Sequence, residues 1–179
     1  MAKDNGYISG IERFFADDEI IVSKTDMTGR ITYANQIFQQ VAGYQESELL
    51  GQPHSIVRHP EMPRSIFKML WDTLAAQQEI FAYVVNLSKN GDHYWVLAHV
   101  TLSRNTAGEV TGYHSSRRVP DRTILEQVIQ PLYQDLLTIE RKHDNRKSGM
   151  MAAVETVQAF LKEKGMQYDE FIHTLTPSG

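Results

Sequence analysis

Between Ile80 and Arg118 the chain carries the pattern that most limits how it can fold. An apolar run rich in β-branched and aromatic residues, Ile80 to Val85, leads through Asn86-Leu87-Ser88-Lys89 to Asn90-Gly91. Asn-Gly is a strong hairpin signal because both residues accept positive φ. A second run of strand-forming residues, His93 to Arg104, follows the turn. Asn105-Thr106-Ala107-Gly108 then turns the chain into a third, Glu109 to Arg118. Upstream, Ile20–Thr25 and Arg30–Ala34 flank Asp26-Met27-Thr28-Gly29, which reads as another hairpin. The order is two strands, then helical signals, then three strands in a meander. It predicts an α+β fold, a five-stranded antiparallel sheet with helices packed on one face.

The helical signals are specific. Asn35 is an N-cap for Gln36–Ala42, and Gly43 ends that helix. Ser47 to Gly51 reads as a short turn. Pro63 to Gln77 holds Ile66, Phe67, Leu70, Trp71 and Leu74 at helical spacing. Near the start, Ile8, Ile11, Phe14 and Phe15 suggest a short amphipathic cap helix within residues 1–19. From Asp121 a different regime begins. Ile124, Leu125, Val128, Ile129, Leu132, Leu136, Leu137 and Ile139 mark an amphipathic helix that Pro131 should kink. A second helix is expected from about Ser148 to Lys164, and a third over Gln167–Leu175. The expected organisation is a cap at 1–19, a central domain at 20–119 and a helical extension at 120–179. Removal of residues 121–179 is expected to leave a folded central domain.

Composition removes several kinds of function. The chain of 179 residues has no cysteine. Disulfides, thiol catalysis, cysteine-ligated clusters and a flavin–cysteinyl photoadduct are therefore excluded. A net charge of −4 argues against nucleic-acid binding. No apolar run reaches the length of a membrane span, and the N-terminus has no signal-like core, so a soluble cytoplasmic protein without direct membrane insertion is expected. His54, His59 and Glu61 are spaced unlike a helical zinc pair. Gly-x-Ser-x-Gly, P-loop and Gly-x-Gly-x-x-Gly motifs are all missing, and the reading is non-enzymatic.

The segment Gly51-Gln52-Pro53-His54-Ser55-Ile56-Val57-Arg58-His59-Pro60-Glu61-Met62-Pro63 sets two histidines, an arginine and a glutamate among three prolines. Together with Asn86 to Trp95 it resembles the PAS domain of Aer-type aerotaxis receptors, over about residues 20–119. The tail Gly165-Met166-Gln167-Tyr168-Asp169-Glu170-Phe171, after an Ala/Val-rich helix, is similar to the end of stand-alone PAS sensors in bipartite energy-taxis systems. The resemblance implies FAD as cofactor, a redox or oxygen signal, a methyl-accepting chemotaxis transducer as partner and a homodimer. It also implies site residues. The Asn86 amide would pair with the ring edge, and Arg58 and His59 would meet phosphate oxygens through charge-assisted bonds. Trp71 would either stack on the ligand or belong to the core. Asn35 and His54 are further polar candidates. By the same resemblance the face of Val96, Ala98 and Val100 lines the pocket, and the face of Trp95, Leu97 and His99 carries the output. The family pattern has tryptophan and glycine where this chain has Ile80 and Ala82, which implies a pocket with one stacking surface fewer and one methyl group more. Two alternatives remain open: a haem-binding gas sensor with His99, His114 or a methionine as axial ligand, and a cofactor-free dimerisation or adaptor module.

Overall fold

A computed structural model describes residues 7–175, so the outermost ends of the 1–19 and 120–179 segments lie outside the described residues. Five strands form one antiparallel sheet: β1 (Ile21–Asp26), β2 (Ile31–Ala34), β3 (Ile80–Leu87), β4 (His93–Arg104) and β5 (Val110–Arg118). Their order across the sheet is β2-β1-β5-β4-β3, so the last strand in sequence lies in the centre. Helices α1 (Gln36–Ala42), α2 (Glu46–Leu49) and α3 (Arg64–Ala75) fill the connection between β2 and β3. The expected α+β architecture is thus present.

Local chemistry sets the turns. Asp26 Oδ1 accepts from the backbone N–H of Thr28 and of Arg30, an Asx-type turn that closes the β1–β2 hairpin. Asn35 accepts from the Phe38 N–H as N-cap of α1, and Gly43 ends the helix in the left-handed conformation at φ 74°.

The proline-rich segment crosses the sheet. At its start the His54 N–H donates to the Gly29 carbonyl at 2.9 Å, beside β2. Residues 54–57 then form a single 3₁₀ turn, and Arg58 makes an antiparallel bridge to Asn86 on β3. β2 and β3 are the two edges of the sheet. The segment is therefore a strap pinned at both edges, with α3 beginning just beyond it.

The N-terminal segment differs from expectation: residues 8–15 form no helix, and Glu12 makes an isolated β-bridge to His93. Its backbone is committed to the β3–β4 turn. Ser9 N–H donates to the Gly91 carbonyl, His93 N–H to Ile11, and Arg13 N–H to His93. Gly10, at φ 75°, would interrupt a helix there. Asp92 latches the arm by accepting from Ser9 Oγ at 2.6 Å and Arg13 Nε at 2.9 Å. Gly91 is required at this turn, because a Cβ would stand 2.1 Å from the Tyr7 carbonyl oxygen.

After the sheet come α4 (Arg122–Ile124), a π-helical turn (Leu125–Ile129), α5 (Gln130–Arg141), α6 (Arg146–Lys164) and α7 (Tyr168–Leu175). The disturbance expected from Pro131 takes the form of that π turn, in which the Gln130 N–H reaches back to the Leu125 carbonyl. These helices do not form a separate unit. Leu125, Ile129, Tyr133, Leu136 and Val157 belong to the same apolar core as Phe38, Ile66 and Val96. The Glu140 carboxylate accepts from the backbone N–H groups of Arg64 and Ser65 and from Ser65 Oγ at 2.8 Å. It thereby caps α3, whose own N-cap Pro63 supplies no side-chain bond. The shared core and this cap argue against the expectation that residues 121–179 can be removed freely.

Candidate functional site

A cavity of about 260 Å³ lies between the sheet, α3 and the strap. Side-chain alternation builds its floor. Ser23 and Thr25 of β1, Val84 and Asn86 of β3, Ala98 and Val100 of β4, and Tyr113, Ser115 and Arg117 of β5 share one face of the sheet. Phe67, Leu70, Trp71 and Leu74 of α3 form a wall, and His54, Ser55 and Arg58 come from the strap. The cavity is apolar along α3 and polar along β1 and β5. Among the described residues no Asp or Glu lines it, whereas two arginines do.

Four of the six sequence-derived site residues meet here: His54, Arg58, Trp71 and Asn86. Asn86 is 4% exposed, and among the described residues its side-chain amide has no hydrogen-bond partner within the protein. Arg58 is partly buried, with its guanidinium 4.4 Å from the Phe67 ring centroid. Burial and the nearby Arg64 lower its pKa, with Glu140 opposing them. Trp71 belongs to neither the core nor the cavity floor. It is 42% exposed at the cavity mouth, edge-on to Tyr113 at 5.4 Å, with its indole against Gly29.

The other two lie elsewhere. Asn35 spends its amide within the scaffold, accepting from Phe38 N–H and Val22 N–H and donating to the Ile20 carbonyl. His59 is buried beside His93, their ring centroids 5.8 Å apart, and it lines a separate cleft with Val85, Trp95 and Tyr133. Its Nδ1 accepts from the Glu61 N–H at 3.1 Å. The strap is extended at Arg58, so the side chains of Arg58 and His59 leave it on opposite sides.

Strand alternation also decides the histidines of the haem alternative. His99 lies on the opposite sheet face, stacked on Phe81 at 4.0 Å and bonded to Glu79. His114 alternates with Tyr113 and Ser115, which line the cavity, so it too points away. Among the described residues His54 is the only histidine in the lining, and no methionine lines it. Ile80 and Ala82 are buried and outside the lining, but they share the cavity face of the sheet, paired with the lining residues Val100 and Ala98.

Sequence reasoning missed Arg117, Ser23 and Thr25. Arg117, only 2% exposed, lies on the central strand opposite Ile21 and Ala98. Its Nη2 donates to Ser23 Oγ at 2.5 Å, and its guanidinium stands 4.5 Å over the Phe38 ring. Ser23 Oγ lies 3.1 Å from His54 Nε2. Because arginine only donates, Ser23 accepts from it and passes its own proton toward Nε2, which leaves Nδ1 as the protonated nitrogen of His54. Burial, and secondarily Arg117, push the His54 pKa down to about 3, so the ring is neutral. Burial lowers Arg117 itself to about 10, still charged at neutral pH. Thr25 Oγ1, Tyr94 Oη and Arg117 Nε are buried without a partner among the described residues. Applying to β5 the alternation used on β4 would have placed Arg117 in the pocket.

This sheet, its order and the cavity on its helical face define a PAS domain. Residues 31–117 match the family model described as PAS fold. The domain is of the aerotaxis-receptor type: over 132 residues, 73% of the chain, it is 43% identical to the aerotaxis receptor of Escherichia coli strain K12, of which it covers 25%. It is also 31% identical over 99 residues, 55% of the chain, to a nitrogen fixation regulatory protein of Klebsiella pneumoniae, of which it covers 20%. The chain thus spans a quarter or less of these two relatives. Among solved structures, a light-oxygen-voltage domain studied with a flavin analogue superposes with a TM-score of 0.55 at 20% identity, over 65% of this chain and 87% of that one. The light-state LOV domain of the blue-light photoreceptor Aureochrome1 gives 0.54 at 19% identity, over 65% and 91%. At that identity these two establish the fold. The relative matched at 43% identity is named a receptor, and the matching family model is described as a fold. Among the described residues no helix is long and apolar enough to cross a membrane.

Proposed function

We propose that this protein is a redox sensor for energy taxis, holding the isoalloxazine ring of FAD between α3 and the sheet. One observation carries the reading: the amide of Asn86, 4% exposed and with no side-chain hydrogen bond among the described residues, lines a cavity to which no described Asp or Glu contributes. An amide offers a donor and an acceptor side by side, which suits the pyrimidine edge of a flavin. Phe67, Leu70 and Leu74 supply the apolar wall that a flat ring needs. At about 260 Å³ the cavity is near the lower limit for a drug-sized ligand. It would house the ring, with the rest of the dinucleotide leaving past Trp71 and Arg58. Arg58, unbonded among the described residues, is placed to meet phosphate oxygens with its planar fork. His59 faces away and takes no part.

When bound, the flavin would supply a reversible change of charge and protonation. The protein's share is to register that change at Asn86. β3 also carries Val85, on the face toward Trp95 and the C-terminal helices, so a shift of the strand reaches both faces. The relationship to the aerotaxis receptor supports taxis as the output. A methyl-accepting transducer is the proposed partner, with a cytoplasmic homodimer as the working form.

The test is an absorption spectrum of freshly purified protein before and after addition of FAD, with Asn86→Ala alongside. Bands near ~370 and ~450 nm that bleach with dithionite, and that weaken in the variant, are expected for a flavin held by its cofactor edge. A spectrum that stays flat after FAD addition would sink the cofactor reading and favour an adaptor role. A Soret band would move the assignment to haem.

A further inference from the structure

We infer that Arg117 is a resident counter-cation of the cavity, stabilising a ligand group that acquires negative charge there. In the flavin-loaded protein that group is the reduced ring. The inference rests on the flavin reading and adds a residue and a charge preference to it.

The argument begins with what Arg117 lacks. A guanidinium that is 2% exposed normally has a carboxylate partner, because a buried unpaired charge is strongly unfavourable. Among the described residues Arg117 makes no ion pair and no acidic side chain lines the cavity. Its neighbours are all neutral: the Ser23 hydroxyl, the uncharged His54 ring and the Phe38 face. Each eases the burial of a cation, yet none carries the opposite charge. Nε, moreover, has no partner among the described residues.

The placement is equally specific. Arg117 is on β5, between Ile21 and Ala98, and cannot move its Cα without disturbing the centre of the sheet. The strap holds His54 over it, with Nε2 3.5 Å from Nη1. Ser23 fixes Nη2 from the neighbouring strand. The positive charge is thus held in one place before any ligand arrives. Arg58 adds a second at the far side of the cavity, on the strap. One fixed cation and a second on the strap, with no acidic side chain in the lining among the described residues, produce a site that favours negative charge on whatever fills it.

The electron balance is simple. A donor, dithionite in the experiment, gives up two electrons and is oxidised. The ring gains those electrons and one proton from water, and so carries one net negative charge. Arg117 stabilises that state over the neutral oxidised one and raises the midpoint potential. No proton leaves Arg117, and no bond to the protein forms.

The experiment compares the flavin-loaded full chain with Arg117→Met and Arg117→Lys, reading flavin affinity in the oxidised state and the midpoint potential. Arg117→Met should bind oxidised flavin within a few-fold of wild type but lose at least about tenfold of its preference for the reduced form. For a two-electron couple that is a fall of about 30 mV or more. Arg117→Lys keeps the charge and should stay within about threefold of wild type. The flavin-free proteins provide a second readout. Removing an uncompensated buried charge should leave Arg117→Met at least as resistant to urea as wild type. A potential unchanged in Arg117→Met, a fall in Arg117→Lys as large as in Arg117→Met, or a flavin-free Arg117→Met less stable than wild type would each overturn the inference. A wild-type protein that takes up no flavin would overturn the flavin reading and this inference with it, and is distinguished by its flat spectrum.

Discussion

The Tyr133 hydroxyl donates to the backbone carbonyl of Tyr83 at 2.5 Å. Tyr83 is on β3, an edge strand, so its outward carbonyl has no neighbouring strand to pair with. A side chain from α5 takes that place. Three residues further along the same strand is Asn86. From the same helix, Glu140 caps α3, which forms the apolar wall of the cavity. One helix of the extension therefore grips both elements between which the ligand is proposed to lie. Changes at the cavity have a short mechanical route to the C-terminal helices.

Tyr133→Phe keeps the ring contact with Trp95, whose centroid lies 6.0 Å away, and deletes the donor to Tyr83 together with a 3.5 Å contact to the Tyr168 hydroxyl. The Tyr83 carbonyl would then be buried without a partner. A loss of about 1–3 kcal/mol is expected, measured by urea unfolding. Unchanged stability would mean that water replaces the hydroxyl and that the contact does not hold the strand.

Glu140→Ala uncaps α3 from a distance. The backbone N–H groups of Arg64 and Ser65 lose their acceptor, and the helix dipole loses a carboxylate at its positive end. The expected cost is about 1–2 kcal/mol. Hydrogen exchange should show faster opening in the first turn of α3 than in β5. Uniform acceleration over the whole chain would instead indicate a general loss of packing.

Asn86→Ala should lower flavin affinity by roughly tenfold, the value of one to two hydrogen bonds to a buried polar edge. Fluorescence titration of the flavin-free protein with FAD measures it. Stability without flavin should change little, since the amide has no protein partner among the described residues. Full affinity in the variant would remove Asn86 from the site.

The sheet could be read from sequence because each strand announces itself twice, by alternation and by a turn such as Asp26-Met27-Thr28-Gly29 or Asn90-Gly91. The site could be read only in part. Arg58 and Asn86 stand out as polar residues in apolar or proline-rich surroundings. Arg117 does not, because beside Arg118 at a strand end it looks like solvated charge, and only the position of β5 in mid-sheet buries it. His59 misled for a related reason: motif proximity to Arg58 says nothing about which side of the strap a residue faces. Ile8, Ile11 and Phe14 have helical spacing, yet the backbone there pairs with the β3–β4 turn. A long-range pairing of that kind leaves no local trace.

Asp92 holds the arm through contacts that also lower its carboxyl to about 2: the Ser9 hydroxyl, the Asn90 amide and the Arg13 guanidinium, in that order. Asp92→Ala should free residues 7–13, seen as new proteolytic cleavage there while β1 to β5 stay protected. In wild type the contribution of this carboxylate is present above its unfolded value of about 3.9 and is lost as pH falls through about 2. An arm that resists cleavage in the variant would show that the backbone pairing with Gly91 and His93 is sufficient.

His54 governs a higher pH window, and its sign is opposite to that of a histidine with an acidic partner. In the folded protein its pKa is pushed down to about 3 by burial and by Arg117. In the unfolded chain it is near 6.5. Between those values the unfolded state binds one proton more than the folded state. Stability therefore falls as pH is lowered from about 6.5 toward about 3, by up to about 1.4 kcal/mol per pH unit from this group. Burial also lowers His59 and His114, so the profile of the wild-type protein sums several histidines. The difference between wild type and His54→Phe isolates the one in the cavity, since phenylalanine can keep the stacking on Phe38. Urea unfolding at intervals from pH 4.5 to 7.5 should give a shallower slope for the variant below pH 6.5 and parallel curves above it. Equal slopes throughout would mean that His54 takes up a proton in the folded state, and the neutral ring drawn beside Arg117 would then be wrong.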